Sequence, residues 1–284
     1  MSSPTRKIVR HTTTTQSHYE AHSTDSYEGA FFYEPGAYTE YLQQLVRKRL
    51  GIKVHSGKPL RLLDVGGGTG NFTHMIVRDT KTTAIVVDPF LAQHDSLVKD
   101  QSQLGFVTSS AEIFMEMPTQ ENKWWRTGYH KVLLKEVVHH FTEGDRVPIF
   151  RGIRHGFSSA TDISSNTPAI LLITRPQRDI DYPLWDAARE VWAENQPSVE
   201  QLAREMREAG FHDIRYTTES YPCTIPLSKW QEMVRNRFWS TFSNFTDEQL
   251  DDACKSIEKD GNNRLDDQGL LHFEDRLIFI SADH

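Results

Sequence analysis

Cysteine is nearly missing from this chain: Cys223 and Cys254 are the only two among 284 residues. They lie far apart and in no ligand spacing. A disulfide scaffold and a cysteine-held zinc site are thereby excluded, and reduced thiols in a cytoplasmic protein are the expectation. No apolar run approaches membrane-spanning length, and the first residues lack the apolar stretch of a secretory signal. Lys and Arg never gather into a run and the formal net charge is −7, so the electrostatic footprint of a nucleic-acid binder is wanting. The 13 histidines form neither a His-Glu-x-x-His nor a Cys/His pattern, and no metal is expected. Gly-Lys-Ser/Thr does not occur, which removes a P-loop. What remains is an ordinary globular balance, 37% hydrophobic and 25% charged, in a chain long enough for one domain with a sizeable core.

One segment carries most of the information. Leu62-Leu63-Asp64-Val65 reads as a buried strand, Gly66-Gly67-Gly68-Thr69-Gly70 as a turn, and Asn71-Phe72 as the start of a helix. Gly66, Gly67, Gly68 and Gly70 permit positive φ and let a ligand approach bare backbone. The next apolar run, Ala84-Ile85-Val86-Val87, ends on Asp88 and Pro89; a carboxylate at that strand tip can accept both hydroxyls of a ribose. The dinucleotide pattern Gly-x-Gly-x-x-Gly fails, because from Gly66 its third glycine falls on Asn71 and from Gly68 on Thr73. A nucleoside-carrying ligand without a pyrophosphate is the economical reading.

Asp64-Val65-Gly66-Gly67-Gly68-Thr69-Gly70 resembles the first motif of class I S-adenosylmethionine-dependent methyltransferases of the small-molecule type. Asp88 looks like that family's ribose-binding acid, Ser109-Ser110-Ala111-Glu112 falls at its adenine turn, and Tyr129 to Phe141 is similar to its fourth-strand motif. The resemblance covers about Leu60 to Phe141. It implies S-adenosyl-L-methionine as cofactor, S-adenosyl-L-homocysteine as product, and Asp64, Gly66, Gly67, Gly68, Gly70, Asp88, Pro89, Ser110, Ala111 and Lys135 as cofactor-binding. Ser110 stands where many members carry an Asp for the adenine amino group; a hydroxyl can still donate or accept.

Strands are predicted at Arg61–Val65, Thr83–Asp88, Leu104–Thr108, Lys131–Lys135 and Ala169–Thr174, and later at His212–Tyr216 with its continuation to Thr224 and at Leu271–Ala282. Alternation of strands with helices gives a doubly wound, Rossmann-like α/β sheet with ligands at the strands' carboxyl ends. The resemblance implies seven strands, mostly parallel, with an antiparallel C-terminal hairpin. Helices are predicted around Tyr38 to Leu50, at Trp185 to Asn195, at Ser198–Ala209 before Gly210, at Ser228–Ser240 and from Thr246 to Lys259. Residues 1–26 are expected to be a flexible tail rather than a transit peptide. Residues 27–284 form a single domain with an N-terminal lid helix and a helical cap at about 176–210 and 226–260.

Methyl transfer is an in-line displacement, so alignment and exclusion of water matter most. An alcohol, phenol or ammonium acceptor must also lose a proton. His139 and His140, just past the fourth strand, are therefore candidate bases, with Glu136 four residues before His140 placed to orient it; a purely structural role for both histidines stays open. Adjacent helical side chains diverge by about 100°, so at most one would face the pocket. Tyr27 and Tyr33, with Phe31 and Phe32, are candidates to cover the cofactor's cationic end. Trp185, Trp192, Trp230, Phe238 and Trp239 are candidate pocket walls, and Arg175, Arg235 and Arg237 candidate clamps for a substrate carboxylate. The expected activity is methylation of O, N or S on a small-molecule acceptor, without nucleic acid or membrane as partner; nothing in the sequence sets the oligomeric state. A protein side chain as acceptor, aminopropyl transfer and an inert cofactor-binding module are the competing readings.

Overall fold

The computed structural model describes residues 36–55, 57–90, 102–117, 128–157, 167–260 and 264–284. Helix α1 (Ala37–Leu50) precedes β1 (Arg61–Val65), α2 (Asn71–Val77), β2 (Thr83–Asp88), β3 (Leu104–Thr108) and α3 (Ala111–Glu116). Then come β4 (Lys131–Lys135), α4 (Glu143–His155), β5 (Ile170–Thr174), α5 (Asp186–Asn195) and α6 (Val199–Glu208). The chain finishes with β6 (His212–Pro226), α7 (Leu227–Arg235), α8 (Asp247–Asp260) and β7 (Leu270–Asp283).

The seven strands form one sheet in the order β3-β2-β1-β4-β5-β7-β6. Strands β1 to β5 pair in parallel, while β7 inserts antiparallel between β5 and β6. Continuous apolar runs in β1, β2, β4 and β5 match strands covered on both faces. One face packs Phe114 of α3, Ile149 and Ile153 of α4, and Leu202 and Met206 of α6. The other packs Tyr38, Leu42 and Val46 of α1 with Ile76 and Val77 of α2. A third cluster joins α5, α7 and α8 through Trp192, Trp230, Val234 and Leu250 to the far ends of β6 and β7. Helix α6 thus belongs to the sheet core, and α5, α7 and α8 to the cap cluster.

Connectivity reverses between β1 and β4, the place where doubly wound sheets open a crevice at the carboxyl edge. The turns leaving β1 and β4 therefore flank one another there. Local signals explain several boundaries. Ser198 caps α6 by accepting from Gln201 N at 3.1 Å. Thr246 and Gln249 cap α8 reciprocally, at 2.9 and 3.3 Å. The helix expected over Ser228–Ser240 stops at Arg235 instead, because Arg237 takes a left-handed φ of 52°; a short 3-10 turn, Ser240–Asn244, follows. Among the described residues no helix is long and apolar enough to cross a membrane.

Helices α4 and α6 are joined by a buried bidentate pair, Arg146 Nε and Nη2 to Glu205 Oε2 and Oε1 at 2.7 and 3.0 Å. Removing one partner strands the other charge in the core, so Glu205→Gln should lower the unfolding free energy by about 3 kcal/mol. Adding Arg146→Met should recover much of that loss in a urea titration.

Candidate functional site

The glycine turn is shaped first by the protein itself. Gly66, Gly68 and Gly70 adopt φ of 75°, 55° and 78°. A Cβ on Gly66 would collide with Val137, one on Gly70 would meet Phe106 Cε1 at 2.7 Å, and one on Gly67 would press on Asp64 and on Val86 Cγ1 at 2.8 Å. Only at Gly68 would it meet nothing within 4 Å. Three of the four glycines thus exist for packing against neighbouring strands, and Gly68 alone presents bare backbone to open space. The Gly66–Val137 contact also presses the turn leaving β4 against the turn leaving β1.

Asp88 ends β2 buried and aimed at this turn. Its Oδ2 accepts from Gly68 N at 3.0 Å and its Oδ1 from Phe90 N at 2.9 Å. The carboxylate is held in a fixed orientation at the rim of the turn's open glycine. Pro89 is exposed beside it. Asp64, 2% exposed, accepts through Oδ2 from the Thr73 hydroxyl of α2, and its Oδ1 is buried without a partner. Burial raises its pKa from 3.8 to about 6, against the pull of the Thr73 hydrogen bond and Lys135. An anion left with an unsatisfied buried oxygen at a ligand edge is a place for a cationic or donor group. Ser110 caps α3, accepting from Ile113 N at 3.4 Å, and Ala111 is buried behind it.

On the β4 side, Lys135 Nζ lies 3.7 Å from Glu136 Oε2 and 5.2 Å above the Phe72 ring. Glu136 holds a left-handed φ of 54°, a conformation a non-glycine residue keeps only when its surroundings impose it. Its carboxylate ion-pairs with Arg175 rather than making the hydrogen bond to His140 expected from the four-residue spacing. Arg175 in turn donates from Nε to Tyr182 Oη at 2.6 Å and approaches Asp275 Oδ1 at 3.4 Å. Asp275, 1% exposed, also accepts from the hydroxyls of Tyr38 and Tyr182. Arg175 is therefore committed within the fold and is not a ready clamp for a substrate carboxylate.

His139 and His140 sit on a 3-10 turn, Val138–His140, their ring centroids 4.0 Å apart. The tight turn brings the rings together instead of splaying them. His140 is exposed and His139 half-buried. Burial, then the nearby Arg175 charge, lowers the His139 pKa to about 4, so the ring is neutral at pH 7.

The remaining expectations fare unevenly. Arg235 pairs with Asp251 at 2.8 Å, and Arg237 binds Phe245 O at 3.0 Å and Asp247 Oδ1 at 2.6 Å. Both make these ion pairs at the surface of the cap. Trp185 stacks on Phe242 at 5.8 Å and meets Phe245 edge-on at 4.9 Å. Trp192, Trp230 and Trp239 interlock at 5.4 Å, so these rings form the cap's core rather than pocket walls. Tyr27, Phe31, Phe32 and Tyr33 lie outside the described residues. Asp275, Tyr38 and Tyr182 went unnoticed in the sequence. The one available signal was an acid at the mouth of the apolar run Leu277-Ile278-Phe279-Ile280.

Because Asp64 binds its proton more tightly folded than unfolded, its contribution to stability declines as pH rises from about 4 to about 6. Asp64→Asn should therefore raise the unfolding free energy at pH 7, by up to about 3 kcal/mol, while weakening any ligand that uses the carboxylate. A parallel melt and binding titration measures both.

No protein-family model matches the chain, and no curated protein sequence does. Solved structures do. Phosphoethanolamine N-methyltransferase 2 of Haemonchus contortus, bound to phosphomonomethylethanolamine and S-adenosylhomocysteine, superposes with a TM-score of 0.51 at 16% identity. The match covers 90% of this chain and 56% of that one, so the chain spans little more than half the length of that protein. The mycolic acid cyclopropane synthase CmaA1, complexed with S-adenosylhomocysteine, gives 0.56 at 12% identity over 97% of this chain and 99% of that one. The 4+2 cyclase SpnF gives 0.50 at 16% identity over 86% and 80%. At these identities the likeness is one of architecture: the chain has the fold of class I S-adenosylmethionine-dependent methyltransferases.

Proposed function

We propose that the chain is an S-adenosylmethionine-dependent methyltransferase whose acceptor is a small molecule methylated at O, N or S. The observation that carries this reading is the Asp88–Gly68 pairing, a buried carboxylate at the end of β2 gripping the amide of the one glycine that opens outward. The residues fit the cofactor in three ways. Asp88 sets a buried carboxylate at the tip of β2, Gly68 leaves room beside it, and Asp64 Oδ1 is a buried acceptor lacking a partner. The described solved structures include two that hold S-adenosylhomocysteine on this fold.

When bound, S-adenosylmethionine supplies an electrophilic methyl group on a sulfonium. The chain's share is positioning. Asp88 would hold the ribose and Asp64 the ammonium of the methionine portion, Gly68 would allow the close approach, and the turn pressed on Gly66 by Val137 brings Glu136, His139 and His140 to the same edge. A neutral imidazole there accepts the acceptor's proton as the new bond forms, if the acceptor carries one. The net charge of −7 and the absence of a basic run favour a metabolite over nucleic acid.

Asp88→Ala should weaken S-adenosylhomocysteine binding at least ten-fold by calorimetry, the worth of one to two charge-assisted hydrogen bonds. The His139→Ala, His140→Ala double variant should bind that product within a few-fold of the parent. Its turnover of a hydroxyl or amine acceptor should drop about 100-fold. Unchanged turnover would remove the base role and leave the cofactor site standing.

A further inference from the structure

Charged side chains form a diagonal row across four neighbouring strands, on the sheet face covered by α1 and α2. Asp64 on β1 is level with Leu133 on β4, and Lys135 stands two residues beyond. Lys135 is level with Ile173 on β5, and Arg175 stands two residues beyond that. Thr174 faces Ile278 on β7, which sets Arg175 against Leu277 and places Asp275 two residues further toward the ligand edge. Because side chains alternate along a strand, steps of two keep one face. Leu133, Ile173 and Leu277 accordingly share a single core cluster beneath the row.

Glu136 lies between the two cations, 3.7 Å from Lys135 Nζ and ion-paired to Arg175. The signs run acid, base, acid, base, acid: Asp64, Lys135, Glu136, Arg175, Asp275. Among these described side chains three carboxylates stand against two cations, and His139 beside Arg175 is neutral. Asp88 lies across the glycine turn, its carboxylate bound to loop amides. Asp275 has a specific place in this arithmetic. By offsetting Arg175 at 3.4 Å, it prevents that guanidinium from cancelling Glu136. The left-handed backbone at Glu136 then reads as the cost of holding a carboxylate at the carboxyl edge of β4.

We infer that this row discriminates the positively charged sulfonium cofactor from its neutral thioether product, with Glu136 facing the charge and Asp275 acting as a positioning residue through Arg175. The inference rests on the cofactor reading given above. S-adenosylmethionine and S-adenosylhomocysteine share their nucleoside, ammonium and carboxylate and differ by one methyl and one positive charge. A row short of one positive charge favours the former, and loses its hold once the methyl has left.

The test is the ratio of the two affinities, measured by calorimetry on the full chain and on variants. Glu136→Gln and Asp275→Asn should each lower the preference for S-adenosylmethionine about ten-fold, with S-adenosylhomocysteine affinity held within two- to three-fold. Lys135→Met makes the row more negative and should raise the preference. Loss of packing would weaken both ligands together and could not move the ratio in opposite directions for acid and base. Should Asp275→Asn fail to fold, the Glu136→Gln and Lys135→Met pair still decides. A ratio unmoved in both of these overturns the row's role, while a parent chain that binds neither ligand overturns the cofactor reading and the row with it.

Discussion

The ligand edge depends on three missing methyl groups. Val137, Asp64 and Phe106 occupy the volume into which side chains at Gly66, Gly67 and Gly70 would project. With those positions filled, β4 could not deliver its turn against the turn leaving β1, and Phe106 of β3 could not close behind Gly70. Close packing leaves no room for compromise at such contacts. Everything that follows is set by that seam: Gly68 turned outward, Asp88 swung in to hold it, and the two histidines brought to the same rim.

A second organising feature is the burial of charge in matched sets. Arg146 with Glu205 ties two helices, whereas Arg175 with Glu136 and Asp275 ties three strands at the carboxyl edge of the sheet. Both are buried, but they differ in consequence. The first is balanced and purely internal. The second is over-supplied with carboxylate and borders the place where a cation is proposed to bind. Asp64 belongs with the second set, since an acid with a pKa near 6 and an unmatched oxygen is costly to the fold. Such local costs gather where a ligand later repays them.

Much of the architecture was legible from the residues. The apolar runs at Leu62, Ala84, Val132 and Ile170 marked central strands, because a strand covered on both faces has no polar side to confuse the pattern. Glycine content and Asp88 located the crevice. The charged network was illegible for a physical reason. Tyr38 and Asp275 are separated by 237 positions and meet only because β7 slides between β5 and β6, a register that local periodicity does not encode. The arginines misled in the same way. An Arg near an expected pocket looks like a clamp until the fold supplies a nearer carboxylate, as Asp251 does for Arg235 and Asp247 for Arg237. The aromatic residues of the cap satisfied one another for want of any ligand-specific signal. The step from Arg235 to Arg237 broke a helix that hydrophobic spacing alone continued to Ser240.

The placement of β7 has a consequence for biogenesis. Among the described residues strand β6 pairs with β7 alone, yet it leaves the ribosome before that partner does. Throughout that interval its 15 residues are an orphan ribbon, and the parallel half of the sheet is complete while the strand bearing Asp275 has still to be translated. Maturation therefore finishes from one flank. A nascent chain stalled short of Leu270 would keep Glu136 but lack Asp275, the second counter-charge of Arg175, and would show a bare sheet edge that the finished fold covers.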